Sequence, residues 1–350
     1  ALNDAGESDS GFYMRNAHLP ARVLAEHSET AYMTRRAIDF IRDAGDEPWS
    51  LHLSYIKPHW PYMVPSPYHN IYGVEDVLPA VRSDDERADP HPVVKAFMNH
   101  GEGVVLSDDS ARHNVIPTYM GLVKELDDHV GHLMTALSDL GRLDDTLIVL
   151  TSDHGDYLGD HWLGEKELFH EPSVRIPLIV ADPSMSAEQS RGSTSRALVE
   201  GIDLIPTFID VLGGNPHQPW LEGRSFLDIL HGRSAESRDF VVAELDYFAR
   251  KARLELKVAA DRAKGWMVRS DRWKYVFYEG FEPQLFDLDD DPDELTDRAS
   301  DPSCQGVLDE HRDRLFHWFR CRKSTVTVDY DYLDMRHEFA TRGGFIFGEW

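Results

Sequence analysis

The apolar run Thr146-Leu147-Ile148-Val149-Leu150 constrains this chain more than any other stretch, because of where it stops. Five residues rich in β-formers read as a strand buried on both faces. The run gives way to Thr151-Ser152-Asp153-His154-Gly155-Asp156, with Lys166 twelve residues beyond His154. In an open α/β sheet, ligands bind outside the carboxyl ends of the strands. Asp153 and His154 are therefore expected where such sheets do chemistry. An oxygen and a nitrogen donor side by side suit a divalent cation of hard to borderline character. An Asp-His-Gly triplet also closes strands that bind nothing, so the preceding strand is what favours the metal reading.

A length of 350 residues leaves room for about two domains. The formal net charge of −26 argues against nucleic acid or an anionic membrane as the main partner. No apolar run approaches the ~20 residues needed to span a bilayer. A small anionic substrate would need a local cation to overcome that field, and a metal ion with Lys and His side chains would supply it. Cys304 and Cys321 have no metal-ligand spacing and form no disulfide framework, which fits a reducing, cytoplasmic compartment. The first ten residues are polar, begin without Met and contain no signal-peptide core, so they read as the middle of a longer protein.

Periodicity organises the rest. From Glu26 to Ala44, the residues Ala31, Met33, Ala37, Ile38, Phe40 and Ile41 mark a helix that Ser28 can cap. Residues 49–56 alternate and predict a strand, which ends at Lys57-Pro58-His59-Trp60-Pro61-Tyr62. Residues 63–112 read as a long surface excursion, the kind of segment that forms lids or binding loops. Pro117 to Leu140 predicts the clearest helix, with Gly141 at its C′ position. A strand over 175–180 and a helix over 201–212 follow, then short strands at 240–245, 266–269, 273–278 and 284–288 that suggest an antiparallel meander. A helix over 307–322 precedes an irregular tail, 323–350, whose aromatic end suggests docking onto another subunit.

Three further side chains can carry chemistry. Lys166, within Gly164-Glu165-Lys166-Glu167, is ordinarily a solvated residue. Beside a metal it would instead stabilise charge on a departing oxygen. His59 sits on a turn stiffened by Pro58 and Pro61. It either packs on Trp60 or Tyr62, or acts as a general acid or a donor to a nonbridging oxygen. Lys57 could reach the same anion. Asp160, His161 and His170 fit no helical metal motif and are expected in a supporting layer or on the surface. The acidic run from Asp287 to Glu294 lacks the glycine and twelfth-position glutamate of a calcium loop and reads as a polar turn.

Taken in order, these segments resemble the sulfatase and phosphonate monoester hydrolase branch of the alkaline phosphatase superfamily. The resemblance rests on Thr151 to His161 with Lys166, on Lys57-Pro58-His59-Trp60-Pro61-Tyr62, on Arg175-Ile176-Pro177-Leu178-Ile179-Val180, on Asp203-Leu204-Ile205-Pro206-Thr207, and on Gln284 to Leu295. Met267-Val268-Arg269, Trp273-Lys274-Tyr275 and the final Phe345 to Trp350 look most like the phosphonate monoester hydrolases. The resemblance implies an α/β fold: an alkaline-phosphatase-like mixed sheet flanked by helices, with a smaller C-terminal antiparallel-sheet-plus-helix subdomain. It implies limits of 1–235 for the core, 236–322 for the subdomain and 323–350 for an interfacial tail, in a homo-oligomer. It makes Asp153 and His154 ligands of one divalent metal ion (Mn, Ca, Zn or Mg), and His59 and Lys166 catalytic. Lys57, His59 and Lys166 would bind a small anionic sulfate or phosphonate/phosphate ester.

The family's nucleophile is a formylglycine made from Cys or Ser in a Cys-x-Pro-x-Arg segment. Cys304 is followed by Gln305-Gly306 and Cys321 by Arg322-Lys323-Ser324, so neither matches. The two acids that complete the family's metal site are also missing. The expectation is a C-terminal portion, inactive alone, with the nucleophile upstream. The alternatives are a nucleophile-less relative acting as a binding or scaffold protein, and a phosphatase or phosphodiesterase with a Ser or Thr nucleophile.

Overall fold

The computed structural model describes residues 14–234 and 238–322. It divides into two units, the first formed by Ala1–Pro183, Leu245–Gly265 and Tyr278–Phe281, the second by Ser184–Glu244, Trp266–Phe277 and Glu282–Trp350. The polar start of the chain and the 323–350 tail lie outside the described residues. Among the described residues no helix is long and apolar enough to cross a membrane.

In the first unit, helix α1 spans Glu29–Ala44 and opens at Ser28, whose Oγ accepts the Ala31 N–H at 3.1 Å. It buries Ala31, Thr34, Ala37 and Ile41, one stripe at helical spacing. The strand expected over 49–56 is not formed. Leu51, Leu53 and Tyr55 are half-buried and His52, Ser54 and Ile56 exposed, so the alternation is there. The segment has no ladder partner among the described residues, and a strand exists only when its backbone groups pair across a sheet.

The 63–112 stretch is not a loose excursion. It contains a single helical turn at Asp84–Ala88, then α2 over Pro92–Met98 and α3 over Gly101–Leu106. Val93, Val94, Phe97 and Leu106 from these helices are buried. Helix α4 runs over Asp109–Asp139, starting eight residues before the expected Pro117. Asp108 caps it, accepting the Ser110 N–H at 2.9 Å. Pro117 forfeits one intrahelical bond and strains the turn before it, a cost of about 3 kcal/mol. Burying Val115 and Leu122 completely, at about 1.5–3 kcal/mol each, offsets it. Met14, Ala17, Tyr62, Val64, Leu106, Val115 and Leu122 form one core cluster, with Trp60, Tyr119 and Leu158 packed against it.

Strand β1, Ile148–Thr151, pairs antiparallel with β2, Leu178–Ala181, with Ile148 opposite Ala181 and Thr151 opposite Leu178. Burial on both faces is not observed. Leu150 is 36% exposed and Ile179 63% exposed. The sheet has two strands among the described residues, and covering both faces of a strand takes neighbours and layers on either side.

In the second unit a 3₁₀ helix at Met185–Ser190 is followed by a 3₁₀ turn at Gly201–Asp203 that leads into helix α5, Leu204–Val211. The expected meander is a four-stranded sheet in sequence order, most of it in this unit: β3 Val241–Asp246, β4 Lys264–Arg269, β5 Trp273–Tyr278 and β6 Gln284–Asp287. The β5–β6 pair is antiparallel, Trp273 opposite Asp287. Helix α6, Gln305–Cys321, contributes Leu308 and Leu315 to a core with Val268, Tyr275, Leu285 and Cys304. Cys304 is buried, Cys321 exposed, and both are free thiols.

Candidate active site

Strand β1 ends at Thr151, whose hydroxyl donates to the Pro177 carbonyl at 2.8 Å, and the chain turns at once into Asp153 and His154. The His154 Nδ1 lies 2.7 Å from the Gly155 carbonyl oxygen. A carbonyl only accepts, so Nδ1 carries the proton and Nε2 keeps its lone pair. That Nε2 stands 3.6 Å from Asp153 Oδ2. The Asp153 side chain is 88% exposed and that of His154 26%. An oxygen and a nitrogen donor thus stand together, open to solution, with the imidazole held in the ligating tautomer by a backbone carbonyl. That donor set fits a divalent cation. Among the described residues no group of three or more His, Cys, Asp or Glu side chains is arranged to hold a metal, so the described chain offers two donors.

Gly155 fixes the bend behind His154. Its N–H donates to the Ser173 carbonyl at 2.7 Å. A Cβ there would sit 1.9 Å from the Pro172 carbonyl oxygen, so only glycine allows the two backbones to lie this close.

His59 comes from the proline turn. Its N–H donates to the Ile56 carbonyl at 3.1 Å. Its Nδ1 is 2.8 Å from the Trp60 carbonyl and is therefore protonated, which leaves Nε2 to accept from Lys166 Nζ at 2.6 Å. The His59 ring meets the His154 ring edge-on, with centroids 5.6 Å apart. The fold therefore gathers His154, His59 and Lys166, although His59 and Lys166 are 107 positions apart. Lys57 is not brought into this group. Its Nζ donates to the Pro61 carbonyl at 3.3 Å, burial lowers its pKa, and the charges of Glu29 and Glu125 oppose that shift.

The segment carrying Lys166 is folded tightly on itself. The Tyr157 N–H donates to the Glu165 carbonyl at 2.8 Å, and Ser173 Oγ donates to the Lys166 carbonyl. Burial, reinforced by the charges of Glu102 and Glu167, pushes the Glu165 carboxyl up to about 7.

His161 and His170 are not on the surface, being 1% and 6% exposed. His161 Nδ1 lies 2.7 Å from Glu86 Oε1, its ring stacks on His170 at 4.1 Å, and Tyr157 Oη lies 3.0 Å from His170 Nδ1. Asp160 accepts the Val81 N–H at 2.9 Å. These contacts tie the segment after the Asp-His pair to residues 81–86, which are helical or turn-like and distant in sequence. Residues 156–170 mix polar and apolar side chains without a helical or strand period, so the sequence left a supporting layer and the surface both open for His161 and His170, and the packing puts them inside. Sequence reasoning missed Asp156. It accepts the Tyr62 hydroxyl at 2.7 Å and the Leu158 N–H at 3.1 Å. Its place inside the Asp-His-Gly-Asp segment was the available signal.

Residues 3–214 match the family model Sulfatase, and residues 159–320 match the model for the C-terminal part of N-sulphoglucosamine sulphohydrolase. The chain is 31% identical over 316 residues to the multifunctional alkaline phosphatase superfamily protein PehA of Trinickia caryophylli, covering 85% of this chain and 61% of that protein. It is 31% identical over 302 residues to the choline-sulfatase of Rhizobium meliloti (strain 1021), covering 83% of this chain and 55% of that protein. Its fold is similar to the phosphonate monoester hydrolase SpPMH from Silicibacter pomeroyi, with a TM-score of 0.81 and 27% identity over 95% of this chain and 67% of that one. The phosphonate monoester hydrolase of Agrobacterium radiobacter follows, with a TM-score of 0.78 and 27% identity over 86% of this chain and 62% of that one. The chain thus spans between 55% and 61% of the length of these two curated relatives. With an Asp-His pair at a strand end, a His–Lys contact beside it and a family model over residues 3–214, the chain belongs to the sulfatase family of the alkaline phosphatase superfamily.

Proposed function

We propose that this chain is part of a metal-dependent hydrolase of sulfate or phosphonate and phosphate esters. The observation that carries this reading is the contact of Lys166 Nζ with His59 Nε2 at 2.6 Å, next to the His154 ring. Two groups able to carry a proton stand against a donor pair suited to a cation, in a protein of net charge −26 that otherwise repels anions. Sulfate, phosphonate and phosphodiester substrates share a tetrahedral anionic centre, and the relatives' names include both a choline-sulfatase and phosphonate monoester hydrolases.

Asp153 and His154 Nε2 would hold the metal, which supplies polarisation of the ester oxygens and lowers the nucleophile's pKa. The nucleophile would be a formylglycine contributed by sequence outside this chain. Lys166 and His59 act on the other side of the reacting centre. As the ester bond breaks, negative charge builds on the leaving oxygen, and the Lys166 ammonium offsets it. His59, held by the Trp60 carbonyl through Nδ1, presents Nε2 to take or return the proton shared with Lys166. Removing one such charge-stabilising group typically costs on the order of 10²–10³ in rate.

In the full-length protein, Lys166→Ala and His59→Ala should lower kcat by about that factor on 4-nitrophenyl sulfate or 4-nitrophenyl phenylphosphonate, and leave stability within about 0.5 kcal/mol. Elemental analysis should find a stoichiometric divalent metal. Turnover near the wild-type rate in either variant would sink the assignment.

A further inference from the structure

We infer that the hydrogen bond from Tyr62 to Asp156 is a strut that sets the His59 turn against the His154 loop. Asp156 is accordingly a positioning residue and not a third metal donor. The inference rests on the proposed roles of His59, His154 and Lys166.

Tyr62 is three residues from His59, and Asp156 two from His154. The Tyr62 side chain is fully buried, sits in the core cluster with Val64 and Leu122, and meets the Tyr119 ring edge-on at 6.2 Å. A ring clamped on that many sides makes its hydroxyl a fixed point. Asp156 Oδ2 takes that hydroxyl's hydrogen at 2.7 Å, across 94 positions of sequence. The other carboxylate oxygen accepts the Leu158 N–H at 3.1 Å. Each oxygen therefore already has a donor inside the protein. Asp153 differs: its side chain is 88% exposed, and it accepts a hydrogen bond from the adjacent His154 N–H at 3.1 Å. Of the two acids flanking His154-Gly155, one is offered to solution and the other is tied to the core.

The two turns carry groups that meet at close range, His59 Nε2 to Lys166 and the His59 ring to the His154 ring. Neither turn is part of a ladder or helix that would hold it at that separation. The Tyr62–Asp156 bond joins the turns directly, a few bonds from the groups whose spacing matters. A displacement of about 1 Å in such a group can cost about 10²-fold in rate.

The test uses Tyr62→Phe, Asp156→Ala and Asp156→Asn in the full-length protein, with Mn²⁺ affinity, kcat and KM measured for each. An asparagine keeps the strut: its Oδ1 accepts from Leu158, and its Nδ2 donates to the Tyr62 hydroxyl, which can also accept. Tyr62→Phe and Asp156→Ala should lower kcat about 10²-fold, with KM and Mn²⁺ affinity changed by no more than a few-fold. Asp156→Asn should restore kcat to within a few-fold of wild type. Loss of Mn²⁺ affinity in Asp156→Asn would show that Asp156 is a ligand and overturn the inference. So would a wild-type kcat in Tyr62→Phe. If wild-type protein turns over neither ester, the proposed function fails, and the strut is then judged by a crystal structure of Tyr62→Phe. An unchanged His59–Lys166 separation there overturns it, and a widened one supports it.

Discussion

Gly155→Ala is the most informative single perturbation of this site, because its consequence follows from one distance. The added methyl would lie 1.9 Å from the Pro172 carbonyl oxygen, 3.0 Å from the Pro172 carbonyl carbon and 3.3 Å from the Ser173 oxygen. Real Cβ atoms stay at 3.0 Å or more from such atoms, so one backbone must move by about 1.1 Å, the difference between 1.9 and 3.0 Å. Neither neighbour is the free end of a side chain that can swing away. The shift also stretches the Gly155 N–H bond to Ser173, now 2.7 Å. Forcing a methyl into a packed place costs about 1–3 kcal/mol. Moving His154 by about 1 Å relative to His59 and Lys166 should cost about 10²-fold in turnover. Urea denaturation at neutral pH reads the first effect, and kcat on a nitrophenyl ester reads the second. Gly131→Ala in α4 is the matched control. Nothing lies within 4 Å of its added methyl, so it should stabilise the helix by about 0.5–1 kcal/mol. The reasoning is refuted if Gly155→Ala matches wild type in both assays while the control behaves as stated.

Two further outcomes follow from burial. Glu165 is raised from 4.5 to about 7 by burial and by the Glu102 and Glu167 charges, with Arg250 and Lys166 opposing. Between those values the folded state holds a proton that the unfolded state has released, so stability falls as pH rises through the window. Glu165→Gln should therefore match wild type near the lower end and gain about 1–3 kcal/mol above pH 7. Urea midpoints at pH 5 and 8 check it, and a pH-independent difference would count against it. Leu122, fully buried in the core cluster under Tyr62, should cost about 2–5 kcal/mol when cut to alanine. Calorimetry on the two proteins measures this, and a loss below about 1 kcal/mol would mean the site collapses around the cavity.

How much of the molecule was legible in sequence depended on the range of the interactions involved. Helix α1 and its Ser28 cap, the amphipathic body of α4, the meander of β3 to β6 and helix α6 were each readable within a residue or a few. Their apolar periods and caps are local properties of the chain. Pro117 misled because it argues locally for a helix start, whereas the core beneath it rewards continuing the helix back to Asp109. Residues 49–56 misled for the opposite reason. Their alternation is a local property, but a strand needs a partner that the alternation does not supply.

The candidate site divides along the same line. The residue types available to the site are readable from the order of residues: an acid and an imidazole at a strand end, a lysine twelve positions on and a histidine on a proline turn. Asp153, His154, His59 and Lys166 are all legible there, with the family resemblance that accompanies them. Tertiary structure alone decided that His59 and Lys166 touch, that Lys57 turns onto Pro61, and that Tyr62 reaches Asp156. It alone put His161 and His170 inside. The reason is physical. Periodicity and turn chemistry act over a few residues, while a hydrogen bond across 107 or 94 positions exists only once the packing of Tyr62, Val115 and Leu122 has fixed where two turns stand.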